Sequence, residues 1–190
     1  MTLLEAIRSI LRPALLQEGT IELVENAPES RCQAVRLNKC GPALVVKLDS
    51  PKKGIAVNDW LFPLFPTTQP ALTCMCDYIV FCNAPARDDA RLFVFLCELK
   101  SGKPRDALKQ IRNGRLTSDF LIATARHHRR IERIPEISYR GLVFSTAVKS
   151  PLKLKSKSAP PRYLPDEQMN DLSFVHVACG STLQLELLCA

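Results

Sequence analysis

Apolar positions near the start of the chain recur at helical spacing. Across residues 3–18, Leu4, Ile7, Ile10, Leu11, Ala14 and Leu15 form one face, with Glu5, Arg8, Arg12 and Gln17 opposite. The spacing predicts an amphipathic helix stopped near Gly19, which Pro13 either kinks or divides into two pieces. An acidic stretch with Glu22, Glu25 and Glu29 follows. The period then changes to that of strands: 32–37 and 43–48 flank the turn residues 39–42 and are expected to pair antiparallel. Pro51, Pro63, Pro66 and Pro70 mark 50–70 as a long ordered loop.

The most apolar runs are 78–82 and 92–97, separated by turn residues and charges at 83–91. Apolar side chains on both faces predict central strands covered on both sides, the signature of an α/β core. Ala107, Leu108 and Ile111 then open a helical pattern. A second helical stretch at 117–128 lies beyond Gly114, where a break is expected. Residues 139–145 read as another buried strand, 151–165 as a basic loop rich in Pro and Ser, and 174–178 and 182–189 as closing strands. There is no internal repeat, and residues 1–190 are expected to form a single domain.

Composition narrows the class. Hydrophobic residues at 46% and charged residues at 24% support a core and exclude a chain disordered throughout. The net charge of +7 suits a polyanionic partner, yet a solubilising basic surface accounts for it equally well. No apolar stretch is long enough to cross a bilayer, and Glu5 stands where a signal peptide carries basic residues, so a cytoplasmic protein with no membrane partner is expected. The eight cysteines sit mostly in apolar, strand-like runs and are read as mainly reduced, buried thiols. Zinc held by Cys32, Cys40, Cys74 and Cys76 is a minor alternative, because there is no C-x-x-C and His127 and His128 are adjacent.

The chemistry concentrates where the run 92–97 continues into Glu98-Leu99-Lys100. Residues two apart on a strand share a face, so Glu98 and Lys100 project together. In isolation such a pair is an ordinary ion pair at an exposed strand end. Asp77, at the start of the neighbouring run, changes that reading. If the two strands form a hairpin, Asp77 lies beside Glu98, and two carboxylates share one sheet edge. Like charges so held need a proton or a cation, and oxygen donors suit Mg2+ or Mn2+.

With Cys76-Asp77 in place of P-D and Glu98-Leu99-Lys100 as E-x-K, the chain resembles the PD-(D/E)XK nuclease superfamily over residues from the opening helix to the strand near Phe144. The proline before the aspartate is absent. The resemblance implies a restriction-endonuclease-like α/β fold, a mixed sheet flanked by helices in αβββαβ order, here with additional C-terminal strands. It implies a Mg2+-dependent nuclease, with DNA expected in preference to RNA. Asp77 and Glu98 become metal ligands, Lys100 the cation facing the attacking water, and Gln110 the glutamine that many members carry on the next helix. Some members add an acid from the first helix, which is either Glu5 or Glu18 here.

For substrate phosphates the candidates are Lys103, Arg105, Lys109, Arg112 and Arg115, extended by 126–130 and by Lys149, Lys153, Lys155 and Lys157. The same core serves restriction, recombination, repair and antiviral defence, so the biological role stays open. Specificity is expected from the 50–70 loop, a homodimer or a partner protein. Two alternatives stand beside the endonuclease: a catalytically silent relative that binds nucleic acid or protein, and a zinc-stabilised interaction module.

Overall fold

The computed structural model describes residues 1–25, 29–38, 41–48, 70–83, 91–102, 106–148 and 160–189. The loop expected over 50–70, apart from Pro70, lies outside the described residues, as do 151–159 of the basic loop.

The chain opens with helix α1 (Leu3–Ile10), capped by a reciprocal Thr2–Glu5 box in which each side chain accepts from the other's backbone N–H. The expected helix to residue 18 ends early. Pro13 starts a 3-10 turn, Pro13–Leu15, and the chain passes directly into strand β1 (Leu16–Gln17). The strands that follow are β2 (Ile21–Val24), β3 (Ala34–Asn38) and β4 (Ala43–Lys47). Then come a short helix α2 (Pro70–Thr73), strands β5 (Tyr78–Asn83) and β6 (Arg91–Lys100), the long helix α3 (Ala107–Arg129) and strand β7 (Glu136–Ser145). Strands β8 (Leu164–Pro165), β9 (Leu172–Ala178) and β10 (Thr182–Gln184) and the helical turn α4 (Leu185–Leu188) complete the order.

These elements form an α/β fold with a mixed sheet in the order β1-β4-β5-β6-β7-β9-β8 and a second sheet in the order β10-β3-β2. Strands β4, β5 and β6 run antiparallel in succession, and the chain returns through α3 so that β7 lies parallel to β6. Strands β3 and β4, expected to pair with each other, belong to different sheets. β3 pairs with β2 and β10, whereas β4 pairs with β1 and β5. The chain therefore changes sheets between Asn38 and Ala43. The closing strand expected over 182–189 likewise stops at Gln184 and becomes helical.

Strict alternation along β5 and β6 divides the core. Ile79, Phe81, Leu92, Val94 and Leu96 pack with Ile7 of α1 and Ile111 of α3. Tyr78, Val80, Cys82, Phe93, Phe95 and Cys97 pack with Ile21, Leu23, Val35, Leu37 and Leu183 of the small sheet and Leu188 of α4. Thus both faces are covered, as the apolar runs require, one by α1 and α3 and the other by the small sheet with the short helix α4. A fully buried Phe or Ile contributes roughly 1.5–3 kcal/mol relative to exposure, so this double covering is the main source of stability.

Two further expectations change. Helix α3 runs unbroken through Gly114, where a Cβ would lie 2.4 Å from Cys76 Sγ, so the glycine admits close packing of helix on sheet. The thiol reading also fails at one pair: Cys32, before β3, and Cys179, after β9, form a disulfide across 147 residues of sequence. Cys76, Cys97 and Cys189 are free thiols. Cys32 is therefore not available to a zinc site with Cys74 and Cys76.

Gly114→Ala gains about 1 kcal/mol of helix propensity but overpacks a buried contact, for a net loss of about 1–2 kcal/mol. Denaturant unfolding of Gly114→Ala, Cys76→Ala and the double variant checks this. Strict additivity in that cycle would mean that the two residues do not meet.

Candidate functional site

The β5–β6 register pairs Tyr78 with Cys97, so Asp77 stands across from Glu98 at the end of the ladder. Asp77 is fixed there by its backbone and its side chain. Its carbonyl accepts from Leu48 N at 2.9 Å, and its Oδ2 accepts from Leu99 N at 2.7 Å. Glu98 continues the alternation of Leu92, Val94 and Leu96 and therefore leaves β6 on the helix-covered face. It is only 1% exposed, which rules out the exposed-pair reading. Its Oε1 lies 2.5 Å from Lys100 Nζ, and its Oε2 has no hydrogen-bond partner among the described residues. A buried carboxylate oxygen without a donor is costly, so its retention needs a compensating ligand or proton.

Charge at this edge is correspondingly displaced. Burial pushes the Glu98 carboxyl up to about 7, against the pull of the Lys100 ammonium. Burial and the neighbouring Glu98 push Asp77 well above the usual carboxylate range, opposed by the Leu99 N–H. The two acids share one lysine, so near neutral pH the site favours a bound proton or a cation. Two hard oxygen donors are the kind of ligand that Mg2+ takes, usually beside several waters. Among the described residues no three His, Cys, Asp or Glu side chains stand together closely enough to hold a metal.

The remaining candidates divide. Gln110 Nε2 donates to Met75 O at 3.1 Å, and Asn113 Nδ2 to Cys74 O at 2.7 Å, so this face of α3 braces the segment that leads into Asp77. Arg112 is not free to cradle phosphate. Its guanidinium grips buried Asp166 through contacts of 2.9–3.1 Å. Arg115 is likewise engaged by Asp119 and Asp171 while stacking 4.0 Å over the Tyr139 ring. Only Lys109 of this group is exposed; Lys103 and Arg105 lie outside the described residues. The same holds for Lys149, Lys153, Lys155 and Lys157. At the far end of α3, Arg129 bonds Ser9 Oγ and O of α1, and His127 and His128 pack edge to face at the surface.

Neither acid of the opening segment reaches the site. Glu5 belongs to the helix cap, and Glu18 pairs with Arg8 at 3.0 Å on the surface. Glu25, immediately after β2, is instead close enough for its charge to raise both Asp77 and Glu98. In the sequence it is one of several acids between helix and strand, and only the docking of the small sheet distinguishes it.

Beside Lys100 the edge is shaped by polar contacts. Thr146 N donates to Lys100 O at 3.3 Å, Ser145 Oγ to Gly102 O at 2.6 Å, and Ser30 and Ser101 share a hydroxyl bond of 2.8 Å. An open hollow lined by Arg31, Ser145, Thr146, Cys179 and Gly180 adjoins this edge, outside the carboxyl ends of β7 and β9.

No protein family, curated protein or solved structure matches the chain significantly.

The raised Glu98 value has a definite sign. Its pKa in the folded protein lies above the ordinary 4.5, so its contribution favours folding at low pH and is lost as pH rises from about 4.5 through about 7. Without added metal, melting temperature should fall over that window, and Glu98→Gln should flatten the fall. Parallel profiles for the two proteins would contradict the assignment. Arg112→Ala, which strands buried Asp166, should cost about 3 kcal/mol in chemical denaturation, whereas Lys109→Ala should change stability by less than about 0.5 kcal/mol. Equal effects would mean that the Arg112–Asp166 pair is dispensable.

Proposed function

We propose that the protein is a metal-dependent nuclease that hydrolyses phosphodiester bonds, with DNA as substrate in preference to RNA and with internal rather than terminal cleavage. The observation that carries this reading is Glu98: a carboxylate almost wholly inside the protein, with one oxygen lacking a donor among the described residues, directly across from a second carboxyl. Simple ion pairing leaves that oxygen unexplained; a cation shared with Asp77, or a proton in its absence, accounts for it. The element order adds support: with β1–β3 and α2 set aside, α1, antiparallel β4–β5–β6, α3 and parallel β7 are compatible with the αβββαβ succession of PD-(D/E)XK nucleases. Asp77 and Glu98 stand at the same end of the central hairpin.

Asp77 and Glu98 would hold Mg2+ or Mn2+. Such an ion, when bound, lowers the pKa of its water and offsets negative charge developing on the phosphate. Asp77 would hold the ion from a position tied to Leu99 N, which donates to its Oδ2. Lys100, 28% exposed, spans from Glu98 to solvent and supplies a fixed positive charge beside the scissile phosphate. Gln110 acts at one remove, by holding the chain ahead of Asp77. The exposed Lys109 and the net charge of +7 favour a polyanionic substrate.

One observation favours a second reading. Glu98 Oε1 already has Lys100, and Asp77 Oδ2 already has Leu99 N, as in a catalytically silent relative whose charges have become structural.

Cleavage of supercoiled, linear and single-stranded DNA and of RNA, with Mg2+, Mn2+ or EDTA, separates the two. Activity should require the metal and fall at least about 100-fold in Glu98→Ala, as expected when several kcal/mol of transition-state stabilisation are removed. Nucleic-acid binding with no cleavage under any of these conditions would support the silent relative.

A further inference from the structure

We propose that the Cys32–Cys179 disulfide is a reversible thiol-exchange site, at which Cys179 is the sulfur attacked and an anionic low-molecular-weight thiol is the reactant. The chemistry of the pair needs neither a metal nor a nucleic acid.

The two sulfurs meet the solvent unequally. Cys32 is wholly buried in the core layer that the small sheet covers, whereas Cys179 is half-buried and forms part of the wall of the open hollow outside the ends of β7 and β9. That hollow has a volume of about 520 Å³, within the range of small-molecule sites, roughly 300–1,000 Å³. Exchange requires a thiolate to reach one sulfur of the bond, so Cys179 is the sulfur open to attack. Arg31 lines the same hollow, is exposed, and forms no ion pair among the described residues. The backbone on both sides is held: Arg31 N donates to Ser101 Oγ at 2.9 Å, and Cys179 N donates to Ser145 O at 3.3 Å. A guanidinium so placed draws in a thiolate and the carboxylates of the molecule that carries it. Gln33 and Thr146 add hydrogen-bonding groups to the wall.

In the exchange, the thiolate sulfur of the reactant forms a bond to Cys179 Sγ and the Sγ–Sγ bond breaks. Its electron pair leaves on Cys32, which takes up the proton that the reactant gave up. A second molecule of thiol then displaces the adduct from Cys179 and departs as the symmetrical disulfide; the reverse steps close the pair again. The fold accommodates the opened form. A neutral Cys32 is a small apolar side chain in an apolar layer. The bond also stands just ahead of a parallel ladder between β3 and β10, in which Arg36 lies opposite Thr182 and Arg36 N donates to Ser181 O at 3.1 Å. Val35, Leu37 and Leu183 therefore keep the small sheet on the core when the bond is broken. What opening removes is the covalent tie between the segment bearing Ser30 and Arg31 and the end of β9. The free thiols Cys76 and Cys97 do not compete for the reactant, because both are buried and burial pushes them well above the ordinary thiol range.

The test is peptide mapping by mass spectrometry of the full chain, purified without reductant and incubated under native conditions with reduced glutathione, which carries carboxylates, or with cysteamine, which carries an ammonium group. The mixed disulfide should form on Cys179, with Cys32 released as a thiol, at a rate that rises with glutathione concentration. Hydrogen exchange over β3 and β10 should stay protected while it forms. Arg31→Gln should slow the reaction with glutathione at least about threefold relative to that with cysteamine. In Cys32→Ser, Cys179 should take up glutathione directly from oxidised glutathione, whereas the buried Cys32 of Cys179→Ser should not. The proposal is overturned by an adduct on Cys32, by opening at the rate of global unfolding whatever the thiol concentration, or by an Arg31→Gln effect equal for the two thiols. Cys32 and Cys179 found unpaired in the protein as purified would overturn it as well.

Discussion

The pairing of β5 with β6 is the constraint on which the rest of the structure depends. Both strands are apolar on both faces, so neither face can be left to water. Helices α1 and α3 cover one side, and the three-stranded sheet with α4 covers the other. Close packing then dictates details away from the strands, among them the absence of a side chain at Gly114, where Cys76 fills the space. The parallel strands β7 and β9 extend the same sheet.

Where this doubly covered pair ends, the covering layers meet, and the polar chemistry collects there. The last turn of the alternation puts Glu98 rather than another aliphatic residue into a buried position. A buried carboxylate with one oxygen lacking a donor among the described residues costs stability relative to an apolar side chain of similar size. Local cost at an otherwise self-consistent core is the usual mark of a functional position. The small sheet takes part as well: it covers the core through Ile21, Leu23, Val35 and Leu37, and its loops fasten beside Asp77 and Lys100.

The arginines of α3 illustrate how one residue type serves opposite ends. A guanidinium fork suits a phosphate, but it suits a carboxylate equally well. Arg112 and Arg115 find Asp166, Asp171 and Asp119, and so they join helix to neighbouring chain rather than offering charge to a ligand. Their aspartates, except Asp119, are more than fifty residues distant in sequence, and nothing local to α3 announces them.

The sequence by itself determined the central strands, the start of the amphipathic opening helix, the helical periodicity on either side of Gly114 though not its continuity, and, given a hairpin, the alignment of Asp77 with Glu98. Each rests on a short-range periodicity, and the hairpin joins strands adjacent in the chain, so local spacing carries the information. The tertiary structure alone decided the rest. It assigned β3 and β4 to different sheets, paired Cys32 with Cys179, committed Arg112 and Arg115 to aspartates, and brought Glu25 rather than Glu5 or Glu18 toward the carboxyl pair. All of these are contacts between segments far apart along the chain. They are selected by which surfaces remain uncovered once the core has formed, and no periodicity within one segment records that choice.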